Sequence, residues 1–437
     1  MTGKKVEIPW GKETLDLVLP DRWRIAGTLE PSSIAPVADV DGEIVRGLSE
    51  PCESPLLMEL CKPEMKVVIV VDDSSRPTPV SKIFPHVLRE LDRGGILREQ
   101  ITLVPALGVH RGIDEREMAQ RVGPENLKGI RWENPDCDDE SKMAFLGTTS
   151  RGTPVWINKK TAEADLIVSI GCIEPHIIAS FGGGYKNLIP GVAGRTTIGH
   201  NHGLNCAPAT FNNVGRSIDQ NPMRQDLEEG ARMLKGSVFI ANTILNYRQE
   251  LVRLITGDPI AAHREGVRIS ASLYGVKVNQ QADIVITSSH PMDIDLRQGV
   301  KALANTIRAV KPGGVLITFA RAEEGTGMFG LANRKLPLGK NALRFLAPVI
   351  LPLVPRIRLK GMGEEDKFFL YFALQAMRHA LLLLYAPTIP EEIHERLPFV
   401  SFVGSPQEAV EKARERFSGS ADVLIFPHGG ITYPDMV

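Results

Sequence analysis

Between Pro175 and His202 the chain reads PHIIASFGGGYKNLIPGVAGRTTIGHNH, a stretch that holds three histidines, a lysine and two glycine-rich turns. Imidazoles move protons near neutral pH or bind metals, and a lysine amine serves as tether, nucleophile or anion ligand. Gly182, Gly183 and Gly184 let backbone approach a bound group closely, which makes Gly183 and Gly184 candidate contacts to one. The stretch is not a Walker A loop, because Asn187 stands where the magnesium-binding hydroxyl would follow Lys186. ATP hydrolysis is therefore disfavoured.

His200 and His202 flank Asn201, and alternate residues share a face only where the backbone is extended. A hydrolytic metal site built on His176, His200 and His202 is one reading, although no HExxH motif or carboxylate cluster accompanies it. A single histidine completing the coordination of a metal-bearing cofactor is another. Lys186 as a Schiff-base amine would need an apolar pocket, which the glycine-rich setting does not suggest. A carboxylate-binding protein without catalysis is a fourth.

Three other stretches carry reactive groups. DDSSRPTP sets Asp73 and Arg76 three residues apart, ready to orient a histidine and grip a carboxylate or phosphate, or else to cap a helix and sit on the surface. LGVHRG offers His110 just past a glycine. HPMDIDLRQGVKAL opens a helix with Arg297, Gln298 and Lys301 near its positive end, where an anion can bind. The alternative there is a solvated helix face capped by Asp293 or Asp295.

These stretches need a scaffold that brings them together. Val- and Ile-rich runs at 66–73, 101–108, 164–171, 237–244, 282–289, 313–320 and 421–428 alternate with helical periods at 80–92, 114–122, 222–234, 260–273, 294–310, 364–384 and 406–417. This pattern predicts an α/β fold of two doubly wound lobes with mainly parallel sheets and an active-site cleft between them. The rhythm restarts near 275–281. The expected division is a cofactor-binding domain at 1–277 and a second α/β domain at 278–418, with 419–437 able to return to the first. Ligands in such sheets sit beyond the carboxyl ends of the strands, where all the stretches above fall.

Length and composition set outer limits. A chain of 437 residues with 43% hydrophobic residues, 24% charged residues and a net charge of -1 reads as a soluble globular protein with no pull toward nucleic acid. The first twenty residues alternate like a strand pair and lack a signal-peptide core. The apolar runs at 343–357 and 381–385 are too short or too proline-rich to span a bilayer, and buried core is expected for both. Five scattered cysteines suggest neither a disulfide framework nor structural zinc, which fits a reducing cytoplasm. The oligomeric state stays open.

The motifs together resemble the nickel-dependent lactate racemase family: DDSSRPTP, GVHRG, EPH followed by GGGYKNLIPGVAGRTTIGHNH, then RQGVK, in that order and over nearly the full length. The resemblance implies an isomerase, a racemase or epimerase of a small-molecule 2-hydroxy acid, carrying a nickel-pincer nucleotide made by separate maturation proteins. It assigns the covalent cofactor link to Lys186 and the nickel ligand to His202. His110 and His176 become paired acid and base, Arg76 and Lys301 hold the substrate carboxylate, and Asp73 and Gln298 fix the cofactor or the histidines. His200 receives no role. Chemistry agrees, because a proton at C2 beside an ionised carboxylate is barely acidic, whereas hydride can leave as a histidine takes the hydroxyl proton. Two departures stand out. Gly182 replaces a common serine, and Arg297 stands where lactate-active relatives can have an aromatic residue. That extra cation suggests a substrate larger than lactate, such as a dicarboxylate or sugar acid.

Overall fold

The computed structural model describes residues 3–327, 329–356 and 364–436. Two six-stranded sheets organise it. In the first the spatial order is Leu251–Gly257, Ser237–Leu245, Leu166–Cys172, Val67–Asp72, Ile101–Ala106 and Arg131–Trp132, parallel except at the Leu251–Gly257 edge. Every residue of Val67–Asp72 and Leu166–Cys172 is buried, which requires helices on both faces and explains their unbroken apolar sequences.

The second sheet is wholly parallel, in the order Ser401–Phe402, Leu381–Tyr385, Val310–Phe319, Ala282–Ser288, Ala421–Phe426 and Trp23–Thr28. Its last two members correct the expected division of the chain. Trp23–Thr28 joins the second sheet rather than the first, and Ala421–Phe426 lies inside that sheet instead of returning across. The exposed edge of Ala421–Phe426 offers unpaired backbone, which Trp23–Thr28 covers while Trp23 becomes fully buried. Only the final strand, Tyr433–Met436, reaches back to pair with Gly275–Val278.

Three further expectations change. The helix Glu364–His379 ends before Leu381–Tyr385, and that apolar run is a central strand rather than the tail of the helix. Lys340–Ile350 buries Leu343 and Ala347 but leaves Phe345 and Val349 exposed, as does the following turn with Leu353, so this run is amphipathic and not core throughout. Ile357 at its end lies outside the described residues. Arg195–Gly203 is a helix, so the alternation assumed for His200 and His202 does not exist.

Each sheet reverses its winding direction once, between Val67–Asp72 and Leu166–Cys172 in the first and between Ala282–Ser288 and Ala421–Phe426 in the second. Loops leaving these strands diverge, and the crevice between them is where such folds bind ligands. Among the described residues no helix is long and apolar enough to cross a membrane, and no two of the five cysteines form a disulfide.

Because Trp23 ties the strand Trp23–Thr28 to a sheet assembled from the far end of the chain, Trp23→Ala should cost about 3–5 kcal/mol. Denaturant unfolding measures it. A loss below about 1 kcal/mol would contradict the pairing.

Candidate active site

One cavity of about 210 Å³ lies at the carboxyl ends of both sheets. Asp73, Arg76, His110, His176, Lys186 and His202 line it from the first lobe, and Arg297, Gln298 and Lys301 from the second. Nine side chains read from the sequence as site residues thus meet in one place.

Asp73 follows the central strand directly and accepts from Nδ1 of His110, with Ser75 Oγ donating to its other oxygen at 2.5 Å. Burial raises its pKa, but the hydrogen bond from His110, with Arg76 and Ser75 nearby, outweighs that and holds the carboxyl well below its ordinary range. Across the cleft Arg297 Nη1 donates to His110 Nε2 at 2.7 Å. A guanidinium only donates, so this network assigns His110 the neutral form with hydrogen on Nδ1 and a lone pair on Nε2. Asp73 therefore orients the histidine.

His176 is built the opposite way. Its Nδ1 lies 3.2 Å from the backbone N–H groups of both Ile178 and Ala179, which assigns the hydrogen to Nε2. Burial first, then the cations Lys186, Arg76 and Lys301, push its pKa well below the usual value. The two imidazoles present complementary nitrogens.

Arg76 is no surface residue. It pairs with Glu174 of the EPH motif, and Lys301 Nζ lies 3.8 Å from the same carboxylate oxygen. The other oxygen of Glu174, the Lys301 amine and Oε1 of Gln298 are buried without hydrogen-bond partners. Such groups are costly unless something else satisfies them, and an anion placed between Arg76 and Lys301 would do so for the Lys301 amine, while the two oxygens call for donors. Asp295 caps the Leu296–Thr306 helix through Gln298 N at 2.7 Å, so capping and display of Arg297, Gln298 and Lys301 occur together.

Lys186 sits in the short turn Gly184–Asn187. Burial, with Arg76 and Arg224 nearby, pulls its amine down to about 7, so a large share is neutral at physiological pH. The burial that its glycine-rich neighbours did not suggest comes with its place in the cavity wall. Gly183 and Gly184 do not line the cavity. Their φ angles of 74° and 62° are left-handed, and a Cβ on Gly183 would come within 2.7 Å of Asn242 Oδ1, one on Gly184 within 3.0 Å of the His263 ring. The close approach they permit is to protein groups rather than to a ligand.

Three residues missed by sequence reasoning hold this turn. Fully buried Arg224 donates to the carbonyls of Phe181 and Gly183, His263 Nε2 to Gly182 O at 2.8 Å, and Asn242 Oδ1 accepts from Gly184 N at 2.8 Å. Arg224 lies in PMRQDLEEGA, where it reads as an ordinary helical arginine, and nothing local marks it as buried.

His202 Nδ1 donates to Ile198 O at 2.9 Å, which fixes the tautomer and leaves Nε2 as a lone-pair donor. Burial lowers its pKa to about 4, so the ring is neutral. His200 leaves the same helix two residues away on another face, exposed, with Nδ1 3.2 Å from Thr153 Oγ1. The cluster of His176, His200 and His202 is not assembled, and among the described residues no group of three or more His, Cys, Asp or Glu could hold a metal ion. This counts against a hydrolase with an all-protein metal site. It leaves His202 able to complete a coordination supplied mostly by another group. A neutral Lys186 amine, the Nε2 of His202 and the partnerless Gln298 Oε1 fit a cofactor held by one covalent bond and one metal bond.

The sequence profile of the lactate racemase N-terminal domain matches residues 10–212. A lactate racemase of Thermoanaerobacterium thermosaccharolyticum is 31% identical over 328 residues, covering 74% of this chain and 75% of that protein. One from Lactiplantibacillus plantarum is 28% identical over 433 residues, 97% and 98% of the two chains. The solved structure of the lactate racemase apoprotein from T. thermosaccharolyticum superposes with a TM-score of 0.85 at 26% identity, over 99% of this chain and 100% of that one. A Thermotoga maritima crystal structure shares the fold at TM-score 0.67 and 17% identity, over 91% and 98%.

The low basicity of Lys186 has a direct readout. In protein lacking cofactor, its rate of modification by trinitrobenzenesulfonate, followed by peptide mapping, should reach half its maximum near pH 7. An ordinary lysine does so near about pH 10.4. A rate still climbing at pH 10 would contradict the desolvated setting.

Proposed function

The chain belongs to the lactate racemase family and is an isomerase, and from that premise we propose that it inverts C2 of a 2-hydroxy acid larger than lactate. The reading rests on a nickel-pincer nucleotide linked to Lys186 and bound through nickel to His202. When bound, that group would supply an electrophile for hydride at C2.

The chain's own residues do the rest. Arg76 and Lys301, from opposite lobes, take the substrate carboxylate and fix C2 in the cavity. Nε2 of His110 receives the hydroxyl proton once the substrate displaces Arg297 from it, and Asp73 stabilises the imidazolium that results. His176, in the same cavity, returns a proton to the oxygen when the planar carbonyl has turned. Low basicity keeps it neutral at rest, so it serves as donor only after taking up a second proton, which it then loses readily to a neutral ring. Covering the site with both lobes excludes water. The observation that carries this reading is the convergence of His110, His176, Lys186 and His202 on one cavity with carboxylate-binding cations beside them.

A non-catalytic carboxylate binder would share Arg76 and Lys301. It would have no use for the neutral Lys186 amine or for two imidazoles held in opposite tautomers.

The test is coexpression with cofactor-maturation proteins, then intact mass, nickel content and chiral analysis of a 2-hydroxy acid. Expected are a mass increase that maps to Lys186, about one nickel per chain, and racemisation that Lys186→Ala abolishes. Stoichiometric zinc with an unmodified lysine would overturn it. Asp73→Asn should keep the cofactor and lower kcat by about 10²–10⁴-fold with KM little changed. An equal loss in KM and none in kcat would remove Asp73 from its role behind His110.

A further inference from the structure

The cavity does not end at the charged residues. Beyond Lys301 its wall continues through Leu303, Phe329, Phe369, Phe372, Leu397 and Phe399. Helix Glu364–His379 supplies the middle of this wall and packs against the helix that carries His202, so the apolar compartment adjoins the reactive end. Phe329 and Phe369 meet edge to face with ring centres 5.9 Å apart, an arrangement that holds both rings in place.

Among the described residues that line this compartment none is charged. Its single amide side chain, Asn305, is committed to Gly429 O at 2.8 Å. Arg297, the cation that suggested a second carboxylate, is engaged with His110 at the reactive end of the cavity. A carboxylate or a polyol chain entering here would lose its hydration without replacement. A methyl group would leave the aromatic walls without partners.

We propose that the substituent on C2 is apolar, of branched-aliphatic or aromatic size, and occupies this compartment. This assignment rests on the racemase reading and narrows it. The expected dicarboxylate or sugar acid gives way to a 2-hydroxy monocarboxylate with a hydrophobic side chain. Arg76 and Lys301 take its one carboxylate, and the phenylalanine-lined end takes the rest.

Nickel-loaded protein, assayed by chiral chromatography, should be offered lactate, 2-hydroxy-4-methylpentanoate, 3-phenyllactate, malate and gluconate. The acid with the isobutyl or the benzyl group should exceed lactate in kcat/KM by about tenfold or more. Malate and gluconate should fall below lactate. Fastest turnover of lactate, malate or gluconate overturns this assignment alone, while no turnover of any of the five by fully loaded protein overturns the racemase reading and this with it. Ala373 lines the same compartment. A373F should lower the ratio of 3-phenyllactate to lactate kcat/KM by about tenfold, with A376V as the second variant if A373F does not fold. An unchanged ratio in the folded variant also overturns it.

Discussion

Glu174 is a buried carboxylate shared by two cations from different lobes, and the site is arranged around it. Burial pushes its pKa up, and Lys301, Arg76 and Lys186 pull it back below the ordinary value, so it stays ionised where an isolated acid would take a proton. Yet the arrangement is incomplete. One oxygen of Glu174 and the Lys301 amine have no partner. Charges taken out of water repay that cost only when all their hydrogen-bonding positions are filled. A substrate carboxylate between Arg76 and Lys301 would give the amine its partner, which would tie anion recognition to the meeting of the lobes.

The same economy of contacts governs the reactive end. His110 links the lobes, with Asp73 of the first on one nitrogen and Arg297 of the second on the other. Its tautomer is thus set by the closed arrangement itself. His176 is set by its own backbone and His202 by its own helix, so three imidazoles in one cavity present Nε2, with a hydrogen on that of His176 and a lone pair on the other two. Behind them, buried Arg224, His263 and Asn242 fix the turn that presents Lys186. Their cost in desolvation is accepted so that a lysine on a glycine-rich turn has one position.

Much of this was legible in the sequence, and the reasons are particular. ADLIVSIG and KVVIVVDD read as strands because both faces are buried and their runs are almost wholly apolar, with Ser169 the one small polar residue inside them. Asp73, His110, His176 and Lys186 were found because strand ends in wound sheets are where polar loops collect. What escaped depends on distant pairings. Trp23 meets Ala421 only in the fold, and no local pattern announces it. Glu174 sits in the motif, but its role as a shared counterion requires Lys301 to arrive from the other lobe. Pairing His200 with His202 would need extended backbone, and a helix carries them instead. Phe345 and Val349 misled because composition gives hydrophobicity without direction.

The central claim is that C2 inverts by departure and return of hydride within this cavity, with His110 and His176 handling only the hydroxyl proton. Racemisation of an enantiopure 2-hydroxy acid by nickel-loaded protein in heavy water tests it directly, with deuterium at C2 read by mass spectrometry. The account predicts product of the opposite hand that retains its original hydrogen at C2. Solvent deuterium at C2 in step with racemisation would show that a proton, not hydride, leaves, and would contradict it.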